Sequence, residues 1–141
     1  MSSDYEGAAL KSLAELGLTA LRPFSKPLSG LFIDSRLVTE GGLFIALPGP
    51  QSHGAEFAAQ AIENGAAAVL TDQEGHTLMR QSLPEISVAL VVVEDPAAAL
   101  ASAAALWFEV QPKKIVAVTG TNGKTSVTHF CRQIWTELEY Q

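Results

Sequence analysis

The residues whose types and spacing point most directly to chemistry are Gly120, Thr121, Asn122, Gly123, Lys124, Thr125 and Ser126. Glycines at 120 and 123 let a backbone curl until successive N–H groups face one point, which suits a phosphate. A helix starting behind such a loop adds the partial positive charge of its N-terminus. Lys124 is expected to reach nucleotide β- and γ-phosphates as a point charge, and the Thr125 hydroxyl suits a Mg²⁺ ion. The spacing departs from G-x-x-x-x-G-K-[ST], because Val118 occupies the first glycine position. The plain alternative is a Gly-rich turn with an incidental lysine. The expected strand–loop–helix context favours the nucleotide.

That context requires an apolar strand over 115–118 before the loop and a helix from Thr125 to about Glu139 after it. Upstream, strands are expected over 31–33, 43–47, 66–70 and 88–93, the last a β-branched and apolar run. Helices are expected over 7–16, stopped by Gly17, and over 56–64, stopped by Gly65. A third should run from Asp95 to about Val110, with Asp95 as N-cap and Pro96 in the first helical position. The stretch 72–84 is polar and reads as a loop holding a short helix. Strands alternating with helices imply an α/β fold with a mainly parallel sheet and flanking helices. Pro112, Lys113 and Lys114 mark a boundary, so residues 1–112 should form one domain and 113–141 the start of another.

Composition narrows the function classes. The chain has 141 residues, 48% hydrophobic and 17% charged, enough apolar content for a packed core. A net charge of −6 argues against broad nucleic-acid or membrane-surface binding, which needs a basic face. It leaves a small polyanion open, because backbone N–H groups can hold phosphate whatever the global charge. One cysteine, Cys131, excludes an internal disulfide framework and a multi-cysteine zinc site. The longest apolar run, 97–108, is too short to span a bilayer, which takes about 20 residues. No secretory leader is visible at Met1, so a soluble, cytoplasmic protein is expected.

The string Thr119-Gly120-Thr121-Asn122-Gly123-Lys124-Thr125 resembles the ATP loop of the Mur ligases and their relatives, in which valine at the first glycine position is usual. Folylpolyglutamate and cyanophycin synthetases carry similar loops. The N-terminal region separates them. Ile33-Asp34-Ser35-Arg36, the run from Gly42 to Gly49, then Gly54, Phe57, Ala61 and Gly65-Ala66-Ala67-Ala68 resemble the first domain of the MurE and MurF branches. Folylpolyglutamate synthetases lack that domain. MurF loops more often read T-G-S-x-G-K-T with Lys-Glu soon after, whereas Ser126-Val127-Thr128-His129 follows here, which favours MurE. One departure stands out: the family usually carries Asp-Gly where this chain has His53-Gly54.

The resemblance implies the N-terminal part of a three-domain, ATP- and Mg²⁺-dependent ligase of peptidoglycan synthesis. Such an enzyme adds the third amino acid, diaminopimelate or lysine, to UDP-MurNAc-L-Ala-D-Glu through an acyl phosphate. The first domain would hold the UDP part of the precursor at Ile33, Ser35, Pro50, Gln51 and Ser52. Residues 120–126 would hold ATP, with Lys124 catalytic and Thr125 on Mg²⁺. The incoming amino acid would bind mainly to a C-terminal domain outside these residues, and the 141 residues alone should not turn over. The alternatives are a MurF-type ligase adding D-Ala-D-Ala, a stand-alone UDP-sugar-binding module with an inactive loop, and an unrelated P-loop regulatory protein. Asp34 and Arg36 read equally well as an ion pair holding the turn. His53, His76 and His129 share no metal-ligand spacing, and Trp107, Phe108 and Trp135 read as packing. Phe130, Ile134, Trp135 and Leu138 share one helix face, which should stay exposed, pack back on the first domain, or be covered by another copy.

Overall fold

The structure, a computed structural model, describes residues 10–110 and 116–138. The chain packs as two compact units, residues 1–110 and 111–141. In the first, strands β1 (Leu31–Phe32), β2 (Leu43–Ile45), β3 (Ala68–Thr71) and β4 (Ala89–Val92) form one sheet. The strands lie in chain order and every pairing is parallel. Register sets Leu43 beside Ala68 and Ala68 beside Ala89. Helices α1 (Ala58–Glu63), α2 (Gln73–Ser82) and α3 (Pro96–Phe108) flank the sheet.

The period-two alternation of a strand sorts side chains into two cores. Leu43, Ile45, Ala68, Leu70 and Val91 face one side, with Leu13, Leu16, Leu28 and the α3 residue Ala103. Phe44, Val69 and Leu90 face the other, with Ala58 and Ala61 of α1 and Met79 of α2. Both faces are covered, which is why the strands read as continuous apolar runs. Alanines on α1 and α3 bring those helices close to the sheet.

Several expected elements take a different form. The helix expected over 7–16 is one turn; residues 7–9 lie outside the described set. Lys11 is already paired in extended form with Leu28, through Leu28 N to Lys11 O at 2.7 Å. Ser12 and Glu15 then cap each other's backbone, and Gly17 leaves the helical region with φ +69°. Only about one turn fits between these stops, too short to repay helix nucleation. Conversely, 72–84 holds a ten-residue helix, α2, because Asp72 accepts from Gly75 N at 2.8 Å and caps it. Residues 54–57 form a 3-10 turn ahead of α1. Helix α3 begins at Pro96 with Asp95 as N-cap, as expected, and ends at Phe108, where Glu109 takes φ +58°.

In the second unit, α4 spans Lys124–Glu137. Of the strand expected over 115–118, Ile115 lies outside the described residues and 116–119 form no strand. A strand is stabilised by a hydrogen-bonded neighbour, and the described residues of this unit supply none. Phe130, Ile134 and Leu138 on α4 are exposed, and Trp135 is half-buried. No helix among the described residues is long and apolar enough to cross a membrane.

Candidate functional site

Parallel sheets bind ligands outside the carboxyl ends of their strands. Here β1 runs out at Ile33, and the chain turns through Asp34 into a 3-10 turn, Ser35–Leu37. Asp34 Oδ1 accepts from Arg36 N at 3.0 Å and from Arg36 Nε at 2.9 Å, and Asp34 Oδ2 accepts from Arg36 Nη2 at 2.6 Å. The guanidinium hydrogen bonds hold the Asp34 carboxyl down at about 2, and the carboxylate raises Arg36 in turn. Of the two readings open for this pair, the geometry shows the ion pair that closes the turn.

That turn opens on a cavity of about 620 Å³. Ile33, Ser35 and Ser52 line it, three of the five residues expected to meet the UDP part of a precursor. Pro50 and Gln51 are exposed and are not among its lining residues. The lining also includes Phe57, at the end of the second 3-10 turn, which the sequence offered only within the resemblance, and Gln60, on α1, which sequence reasoning did not single out. Ser35 is only 6% exposed, and its hydroxyl donates to Gln60 Oε1 at 2.6 Å. Asn64 Nδ2 donates to the Ser35 carbonyl at 2.9 Å. The available signal was a pair of amides four residues apart, which a helix sets on one face. Ile33 and Phe57 are apolar and about half exposed, at 62% and 48%. The wall therefore combines apolar surface for a flat ring with polar atoms at its edge.

His53 lies in the chain between the lining residues Ser52 and Gly54. It is buried, and its Nδ1 accepts from Ala55 N at 3.0 Å. That leaves the proton on Nε2, which donates to Asp72 Oδ1 at 3.1 Å. Glu56 Oε1 accepts from His53 N at 3.2 Å and completes a capping box. One imidazole thus caps the 3-10 turn before α1 and braces the cap of α2. An aspartate at position 53 could supply the first bond but is too short for both.

The loop expected to hold ATP lies in the second unit. Gly120 has φ +140° and Gly123 φ +77°, and Gly123 is the N-cap residue of α4. No side chain caps that helix, so its first N–H groups keep no side-chain partner. A Cβ at Gly123 would meet nothing within 4 Å, so the left-handed φ, not space, demands glycine there. Lys124, Thr125 and Ser126 follow on the first turn, and all are exposed. The described residues contain no group of three or more His, Cys, Asp or Glu fit to hold a metal.

The parallel sheet with flanking helices is shared with known proteins. The "Mur ligase family, catalytic domain" pattern matches residues 27–108, more than half of the chain, and the chain belongs to that family. The match ends before the Gly120–Thr125 loop. The chain is 47% identical, over 85% of its length, to the UDP-N-acetylmuramoyl-L-alanyl-D-glutamate–2,6-diaminopimelate ligase of Caulobacter vibrioides. It is 39% identical, over 94% of its length, to the ligase of that name from Agrobacterium fabrum. It spans about a quarter of the length of these relatives, 24% and 25%. Among solved structures, MurF from Acinetobacter baumannii aligns with a TM-score of 0.65 at 23% identity, covering 93% of this chain and 28% of that one. MurF from Thermotoga maritima in complex with ADP aligns at 0.55 and 24% identity, covering 76% and 23%. At these identities the structures establish the shared fold.

Proposed function

We propose that these residues form the precursor-binding part, and the opening of the ATP-binding part, of an ATP-dependent ligase acting in the cytoplasm on peptidoglycan precursors. The full enzyme would add the third amino acid to UDP-MurNAc-L-Ala-D-Glu, and the names of the relatives point to 2,6-diaminopimelate. The observation that carries this reading is the cavity at the β1 exit, where Ile33, Ser35 and Ser52 meet on a Mur ligase family fold. Its apolar walls suit a pyrimidine ring, and Ser35 and Ser52 supply polar contacts. Pro50 and Gln51, on the loop that carries Ser52, are proposed to meet the UDP part of the precursor as well.

Residues 120–126 are proposed to hold ATP. The left-handed Gly123 and the uncapped start of α4 fit a phosphate, and exposed Lys124 supplies positive charge beside it. Thr125 would contribute one hydroxyl oxygen to Mg²⁺. The precursor carboxylate would take the γ-phosphoryl group of ATP, with ADP leaving, and the incoming amine would then expel phosphate from that acyl phosphate to form the amide. This chain's own part is to hold the precursor and to offset phosphate charge at Lys124. A C-terminal domain outside these residues would bind the amino acid, and the 141 residues alone are expected to be inactive. The apolar face of α4 is the surface through which copies of the chain would associate, which sedimentation velocity would detect.

Calorimetric titration of the 141-residue chain with UDP-MurNAc-L-Ala-D-Glu tests the cavity. Binding that UDP competes away is expected, and no measurable binding would sink the reading. In the full-length enzyme, Lys124→Ala should abolish amide formation and leave precursor binding within about threefold, because the lysine belongs to the other unit. Loss of both would place the division of labour elsewhere.

A further inference from the structure

We propose that Gln60 is a positioning residue that locks the Ser35 hydroxyl as a hydrogen-bond acceptor, so that the cavity selects a pyrimidine presenting a ring N–H. The inference rests on the reading of this cavity as a uridine-nucleotide site. It adds the residue that sets the preference and the way it does so.

A serine hydroxyl has one proton and two acceptor positions. In water it rotates to suit any partner. Ser35 is 6% exposed, and its proton is committed to Gln60 Oε1 at 2.6 Å. The backbone beneath it is pinned as well, by Asn64 Nδ2 donating to the Ser35 carbonyl at 2.9 Å. Gln60 lies on α1 and Asn64 is its C-cap residue, so one helix face grips both the side chain and the main chain of Ser35. On the other side, Asp34 and Arg36 close the turn that carries Ser35. The hydroxyl therefore has a fixed sense. It cannot donate to a ligand without giving up Gln60, and it remains free to accept.

An acceptor of fixed sense discriminates between otherwise similar rings. Uracil presents N3–H between two carbonyls. Cytosine held by the same sugar and diphosphate presents a bare N3 at that place. With uracil, N3–H donates to Ser35 Oγ; with cytosine, two acceptors face each other. Mismatching a desolvated acceptor in this way lowers affinity by about tenfold or more. The same ring in a site with a freely rotating serine would meet little penalty, because the hydroxyl would turn and donate.

The test measures UDP and CDP affinities of the 141-residue chain by calorimetry, with excess ADP present to occupy any site at residues 120–126. Wild type should bind UDP at least about tenfold more tightly than CDP. Gln60→Met, which offers Ser35 no comparable acceptor, should bring the two affinities within about threefold. Gln60→Glu can still accept from Ser35 but cannot donate, so it should keep the wild-type ratio even where both affinities fall. Gln60 is exposed, so both variants should melt within a few degrees of wild type. A merely structural role for Gln60 would move both affinities together and leave the ratio alone. Full discrimination in Gln60→Met, or its loss in Gln60→Glu, would overturn the inference while UDP binding preserves the site. Absence of UDP binding in wild type would overturn the site itself and the inference with it.

Discussion

Replacing His53 with alanine should destabilise the first unit by about 3 kcal/mol. Two hydrogen bonds disappear in a side chain that is only 7% exposed. The first is the cap on Ala55 N, at 3.0 Å, worth about 1 kcal/mol. The second runs to Asp72 Oδ1, at 3.1 Å, and its loss costs about 1 kcal/mol. Asp72 keeps Gly75 N at 2.8 Å, so the α2 cap survives in part. The ring also fills space against Gly75 and Ala55, and the void left behind adds about 1 kcal/mol more. In a unit of this size the sum lowers Tm by roughly 15 °C. Urea unfolding of the 141-residue chain, followed by far-UV circular dichroism, gives the free energy directly. His53→Asn retains a cap acceptor but loses the reach to Asp72, so it should show about half the loss. His53→Asp restores the cap but brings a second carboxylate toward Asp72, and should fall below His53→Asn at neutral pH. An alanine variant within about 0.5 kcal/mol of wild type would refute the claim that one imidazole joins the two caps.

Three further outcomes follow from the same geometry. Gly75→Ala should destabilise by about 1–2 kcal/mol despite alanine's better helix propensity, because its Cβ would collide with Thr71 Oγ1 and sit 2.6 Å from His53 Cε1; a higher Tm in thermal melts would contradict this. Asp34 lies far below its ordinary 3.8, at about 2, so its contribution is present above about pH 4 and lost as pH falls toward 2. Comparing Tm of wild type and Arg36→Met across that range should therefore show a gap that closes on acidification, and a gap that widens would be the wrong sign. Asp95→Ala should cost about 1 kcal/mol by removing the Oδ1 acceptor for Ala98 N at 3.0 Å, whereas Asp95→Asn should stay within a few tenths in urea titrations.

Much of the fold was legible in the residues. Strands β2, β3 and β4 announce themselves as short apolar runs, because a parallel sheet covered on both sides leaves no strand face polar. Helix α3 announces itself through Asp95-Pro96, since cap chemistry is local. The misses came where local signals met distant ones. Residues 13–16 have helical spacing, yet pairing between Lys11 and Leu28 leaves room for a single turn. Helix α2 is polar and contains Gly75, which reads as a loop holding only a short helix until Asp72 is seen capping a full ten residues. The strand expected over 115–118 has the right composition, but composition cannot provide a partner strand.

The site divides in the same way. The Gly123-Lys124-Thr125 loop needed no tertiary structure to be found, because a glycine-dependent turn followed by a helix start is encoded within a few consecutive residues. Ile33, Ser35 and Ser52 could also be singled out, through resemblance. What no reading along the chain could supply was the company they keep. Gln60 reaches Ser35 across 25 positions, Asn64 reaches the Ser35 carbonyl across 29, and His53 reaches Asp72 across 19. Those distances are closed by helices packing on a sheet, so residue types chose the chemistry and tertiary packing chose the direction of the Ser35 proton and the tautomer of His53. A hydrogen bond depends on angle and on angstroms, and both quantities exist only once the layers have come together.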